Sequence, residues 1–195
     1  MENQPKWASA APTLNLIFSM LALIFAASFF GFLEPSAAFI LGLLQIAVWP
    51  AYLIGAMLLL RTGDTVGGNT FFYFATFFGI APGMITVGTY FAEIYGWPFD
   101  PTILGIIWLC VGLTLTFSLP GFAKGPSLTL LVISCAAIGI DFIGLGYLNV
   151  LPAVTANCIA GCFLTVTGIG GLYSAIAGIL EGANIKLPLG KPLFK

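Results

Sequence analysis

Residues 36–60 read SAAFILGLLQIAVWPAYLIGAMLLL and contain no charged side chain. A helix that crosses the hydrocarbon core of a bilayer needs about 20 apolar residues, and this run exceeds that length. It is bounded by Glu34-Pro35 on one side and by Arg61-Thr62-Gly63-Asp64 on the other. Proline lacks an amide donor and glycine costs backbone entropy, so both are natural places for a span to end. One such run makes a membrane anchor. The rest of the chain decides whether it stands alone.

It does not. Five more apolar runs follow the same pattern, giving spans at 13–33, 36–60, 70–91, 102–119, 127–148 and 156–180. Glu93 through Asp100-Pro101 closes the third, Pro120-Gly121 and Lys124-Gly125-Pro126 the fourth, and Asn149 with Pro152 the fifth. Residues 1–12 form a polar leader without an apolar signal region, and residues 181–195 form a short tail. The expected architecture is an all-α membrane protein whose six transmembrane helices form a bundle around a pore.

Charge placement supports the count independently. Six spans put Lys6, Arg61, Lys124, Lys186, Lys191 and Lys195, every cation in the chain, on one side. The other side receives Glu34, Glu93 and Asp100 and no cation. Cytoplasmic loops carry the excess of Lys and Arg, so both termini are expected in the cytoplasm and the protein in the cell membrane.

Composition agrees with this class. The chain of 195 residues is 59% hydrophobic and 7% charged, where a soluble domain carries about 25% charged residues. About 30% of the surface of an unfolded chain this size stays in water after folding, too much to be covered by so few polar groups. The net charge of −1 argues against a nucleic-acid partner. Histidine is absent, which removes the commonest proton shuttle and metal ligand. Cys158 and Cys162 share a helix face, but no second pair of ligands accompanies them, so all four cysteines read as small buried hydrophobes and no metal or cofactor is expected. No nucleophile–base pair, carboxylate pair or phosphate loop points to an enzyme; the glycines of residues 63–68 lack the lysine such a loop uses.

Several intramembrane residues depart from the apolar background. Pro50 and Pro82 each remove a backbone hydrogen bond and are expected to kink their helices. Gly161, Gly168, Gly171, Ala175 and Gly178 form a stripe along span six, the pattern of a close helix–helix interface. Asp141 is the one ionisable residue well inside a span, with no Lys or Arg at its depth. An acid there should face the bundle interior, either as a proton-linked residue on a substrate path or as a hydrogen-bonded group near the outer mouth.

The segment Leu58-Leu59-Leu60-Arg61-Thr62-Gly63-Asp64-Thr65-Val66-Gly67-Gly68-Asn69-Thr70-Phe71 resembles the junction of spans two and three in the acetate uptake transporter family. That family includes bacterial succinate–acetate permeases and fungal ammonia-and-acetate export proteins. Further similarity lies in Phe117 through Gly125, in Leu172-Tyr173-Ser174-Ala175 and in Leu187-Pro188-Leu189-Gly190. Where the family opens span one with Asn-Pro-Ala-Pro-Leu-Gly, this chain has Ser9-Ala10-Ala11-Pro12-Thr13-Leu14. A family glutamate late in span two is Leu59 here, and the preceding glutamine is Tyr52. The chain is similar to a divergent branch.

The resemblance implies a homohexamer in which each protomer carries its own pore for acetate or similar small monocarboxylates, succinate included. It implies a narrow constriction built from spans one, three and five, at Phe18, Phe74 and Ala136, with the small Ala136 predicting a wide gate. Physical chemistry adds the expected lining. An anion that must leave again needs donors rather than fixed cations. Asn15, Ser19, Thr65, Asn69, Thr70 and Thr76 supply them in spans one and three or at their ends. Helix N-termini near Pro12 and Asn69 would add partial positive charge. Two other readings fit the same composition: a channel for urea or short amides, and a membrane subunit that transports nothing and packs against partners.

Overall fold

The computed structural model describes residues 8–100 and 102–194. Lys6 and Lys195 of the charge argument lie outside the described residues. Six helical segments are long and apolar enough to cross a membrane. The helices are α1 (Ala11–Phe29), α2 (Ala37–Arg61), α3 (Thr65–Phe74), α4 (Ala81–Tyr95), α5 (Thr102–Phe122), α6 (Ser127–Tyr147) and α7 (Ala153–Glu181). A π-helical segment, Ala75–Ile80, joins α3 to α4, so these two helices make one span, the third. The protein is a multi-pass membrane bundle, and its outer surface is apolar: Phe117 and Val154 are 81% and 84% exposed. An apolar surface this extensive suits lipid, because soluble monomers seldom expose large contiguous apolar patches.

The spans pack as a ring in chain order, with α7 closing against α1. The seams differ in closeness. The α1–α7, α5–α6 and α6–α7 seams are extensive, as is that between α2 and the third span. The α1–α2 seam and the seam between the third span and α5 are slight. The ring therefore consists of a two-span hairpin set loosely against a four-span block.

Small residues explain the close seams. A Cβ at Gly161 would strike the Phe30 ring, one at Gly168 the Leu23 side chain, and one at Gly178 the Pro12 ring. The glycine stripe of span six thus serves the α1–α7 seam within the protomer. Gly42 and Gly83 bring the backbones of α2 and α4 together, since a Cβ on either would lie 2.7–2.9 Å from the other's carbonyl oxygen. In lipid the association of helices rests on such packing, because the apolar surfaces themselves gain nothing by leaving one apolar medium for another.

Three expectations need correction. The third span starts at Thr65 rather than 70, because the Asp64 carboxylate accepts a 2.8 Å hydrogen bond from the Gly67 amide and caps the helix. The double glycine lies in the first turns of α3 and does not break the chain. Span four likewise runs through Pro120 to Phe122. The cysteines are not all buried either: Cys135 is, whereas Cys110, Cys158 and Cys162 are exposed on the outer surface. Apolar lipid tolerates a thiol there as well as a protein core does.

Both ends of the bundle are tied. Gly31, at φ +72°, turns the chain between α1 and α2. The Thr102 amide donates a 2.9 Å bond to the Asp100 carboxylate where α5 begins, and Thr102 holds that carboxyl below its ordinary range. At the other end the tail folds back across the α5–α6 turn. The Leu128 amide donates to the Leu189 carbonyl at 3.1 Å, and the Leu193 amide to the Ala123 carbonyl at 3.0 Å. The Tyr173 hydroxyl donates to the Pro188 carbonyl at 3.2 Å, and Gly190, at φ +81°, lies where a side chain would strike Ser127.

Candidate functional site

A cavity of about 490 Å³ opens at the end of the bundle that carries the termini. Its wall is assembled from the start of α1 (Asn15), the capped start of α3 (Asp64, Thr65, Thr70), the α5–α6 turn (Lys124) and α6 (Ile133). Thr65 and Thr70, in the first turns of α3, both line it. Thr70 is buried and donates a 2.9 Å bond to the Val66 carbonyl, which leaves its oxygen able to accept. A smaller cavity, about 170 Å³, opens at the opposite end. Ala38, Thr86, Thr89, Tyr90, Glu93, Phe99, Leu104 and Tyr147 line it.

Between the two stands a continuous column of aromatic rings. Leu104 lines the smaller cavity, and Trp108 lies one turn further along α5. Trp108 meets the rings of Phe25 and Phe78 at 5.7 and 5.5 Å. Phe78 stacks on Phe74 at 5.1 Å and meets Phe18 at 5.6 Å, while Phe18 and Phe74 lie 5.2 Å apart. Phe74 meets Phe71 at 5.9 Å, and Phe71 lines the larger cavity. All of these separations suit offset or edge-to-face aromatic contact. No charged side chain is buried among the described residues, so the region between the cavities is uncharged.

The column depends on an irregularity in the third span. Pro82 has no amide proton, so the Phe78 carbonyl one turn before it loses its helical partner. Gln45 of α2, fully buried, donates its side-chain amide to that carbonyl at 2.8 Å. The π-helical segment keeps Phe74 and Phe78 on the same side, stacked, and π-segments of this kind occur most often at functional sites. The expected Pro82 kink therefore takes the form of a π-segment, while α2 continues as one helix through Pro50.

The sequence-predicted residues divide into groups. Phe18, Phe74 and Ala136 are all buried in the centre of the bundle, and Ala136 lies one turn deeper along α6 than Ile133. The Phe78 ring joins this centre, packed against both Phe18 and Phe74. Asn15, Thr65 and Thr70 line the larger cavity, and Asn69 lines the adjoining groove beside α5 while its side-chain amide donates to the Thr65 carbonyl at 2.7 Å. Ser19 and Thr76 line neither. Ser19 donates to the Asn15 carbonyl at 2.6 Å and packs against Gly171 in the α1–α7 seam, and Thr76 is exposed on the outside of the π-segment. The helix start expected near Asn69 lies instead at Thr65, beside the cavity.

Asp141 also lies away from both cavities. It sits in the α5–α6 seam, where a Cβ on Gly112 would collide with its carboxylate and the Thr116 hydroxyl donates to Oδ2 at 3.4 Å. Its Oδ1 is buried without a hydrogen-bond partner. Phe25, Phe78 and Trp108 were not singled out in the sequence, and Tyr52 only as the replacement of a family glutamine; the i, i+4 spacing of Phe74 and Phe78 alone hinted at a shared face. Among the described residues no group of His, Cys, Asp and Glu is placed to hold a metal.

No protein-family model matches this chain, and no curated protein does. Among solved structures, the bacterial acetate channel SatP aligns with 95% of this chain and 100% of its own, at a TM-score of 0.79 and 19% sequence identity. The six-span bundle shares its overall fold with that acetate channel.

Proposed function

We propose that the protein is a channel-like transporter for acetate or similar small monocarboxylates, with one path through each protomer, and that it is a divergent member of the acetate uptake transporter family. The observation that carries this reading is the pair of cavities at opposite ends of the bundle, separated by a short apolar column whose centre is Phe18 and Phe74. A path that narrows to uncharged aromatic rings gates by excluding water and admits a solute when the rings move apart. Asn15, Thr65 and Thr70 hold the solute by hydrogen bonds at the wider mouth, and the start of α3 adds its partial positive charge there. The slight seams on either side of the two-span hairpin are where such movement costs least.

Orientation and assembly belong to the same proposal. The termini face the cytoplasm, in keeping with Arg61, Lys124, Lys186 and Lys191 at that end, and the protomers assemble as a homohexamer in the cell membrane. Uptake of labelled acetate, succinate and urea into liposomes containing the purified protein tests it. Acetate entry above that of protein-free vesicles is the expected result. Urea entry without acetate would support an amide channel, and entry of none would support a subunit that does not transport.

A further inference from the structure

Of the buried side-chain polar atoms without a partner among the described residues, two come from α2, Gln45 Oε1 and the Tyr52 hydroxyl. The Gln45 side chain is oriented by its bond to the Phe78 carbonyl, which only its NH₂ group can make, so its Oε1 points elsewhere and accepts nothing. Tyr52, seven residues on, is fully buried, and its hydroxyl has no partner. Two helical turns separate the residues, so they share a face of α2 at positions about 10 Å apart along its axis. The Tyr52 ring stacks on Phe71 at 5.7 Å and meets Phe74 at 6.3 Å, which places it between the larger cavity and the centre of the column.

A buried donor or acceptor with no partner lowers stability, and native proteins keep few of them. Phenylalanine at 52 would have removed that cost at the Tyr52 position. The chemistry of the two groups also fits a traveller. A phenol donates to a carbonyl oxygen, and an amide oxygen accepts from an O–H or N–H group. No cation is buried near them to balance an anion, and stripping water from an unpaired carboxylate is far costlier than stripping it from a neutral acid.

We propose that the Tyr52 hydroxyl and Gln45 Oε1 are successive binding stations inside the aromatic column for an uncharged solute bearing both a donor and an acceptor, the undissociated form of a short monocarboxylic acid. The inference rests on the transport reading and assigns the form in which the solute crosses. The Tyr52 station receives the solute from the larger cavity through its carbonyl oxygen. The Gln45 station then takes its O–H as the rings of Phe74 and Phe78 part.

The test uses Tyr52→Phe in liposomes, with labelled acetate and labelled acetamide as probes and protein-free vesicles subtracted. Acetamide presents the same carbonyl and an N–H donor but cannot become an anion. The variant is expected to lose flux of both probes by about five- to tenfold, the scale of one hydrogen bond lost from a dry site, while its thermal unfolding midpoint stays level or rises. Unchanged flux of both probes would overturn the assignment, as would loss of acetate flux with acetamide untouched, since that would mean an anion is bound. Wild-type protein that carries neither probe would instead overturn the transport reading itself, so the two failures are distinguishable.

Discussion

The two cavities end on the same aromatic column but are made of different material. The one beside the termini, at about 490 Å³, is built from turns and helix starts, with Lys124 and Asp64 offsetting each other among small polar groups. The one at the far end, about 170 Å³, is built from helix ends, with two tyrosines, two threonines and a single charge, Glu93. The difference teaches that the two mouths are electrostatically unlike. A small anion meets a balanced mouth at one end and an uncompensated carboxylate at the other, so the acidic end favours solutes that arrive neutral.

The comparison can be broken at its centre. Phe74→Ala removes the ring that touches Phe18, Phe71, Tyr52 and Phe78, and so hollows out the centre of the column. Acetate flux into liposomes should rise about tenfold or more as the dewetted step is lost. Succinate should enter too, and the unfolding midpoint should fall in line with the roughly 3–5 kcal/mol cost of truncating a buried phenylalanine. If flux falls instead, the column is a wall and the path lies elsewhere.

At the acidic end, Glu93→Lys reverses the only charge of the smaller cavity. The acetate concentration for half-maximal uptake should drop about three- to tenfold at low ionic strength, the scale of one charge a few ångströms from the solute in a partly aqueous site. High salt should erase most of the change, because the residue is exposed. Acetamide uptake should not respond. At the other end Lys124→Gln should raise the same acetate value by only about twofold, since Lys124 is exposed and Asp64 shares the cavity. An effect of Lys124 larger than that of Glu93 would reverse the asymmetry argued here.

How much of this was legible beforehand follows from what a sequence can encode in lipid. The six spans were, because length and freedom from charge suffice to identify them. Their rotation was not. Helices apolar all round have no stripe to say which side faces inward, so polar residues such as Ser19, Thr76 and Asp141 were visible as exceptions, while their directions were not. Ser19 and Asp141 turn into helix seams where a glycine makes room for them. Thr76 sits within the π-segment, whose wider turn shifts the register expected of a continuous α-helix and leaves Thr76 outside. Phe18 and Phe74 were recognised through resemblance, whereas Phe78 and Trp108 are four residues from Phe74 and from a cavity-lining leucine. Gln45 was invisible in another way: its role follows from the missing amide of Pro82, on a different span.

The ring has a consequence for how the protein is made. The most extensive partner of α1 is α7, five spans further along the chain. α1 must therefore wait through the synthesis of five further spans, its glycine-matching surface turned to lipid, before it finds its mate. Closure between α1 and α7 is a long-range event, of the kind that makes assembly slow. A chain that stalls before Ala153 leaves an open crescent in which α1 lacks its glycine-bearing partner.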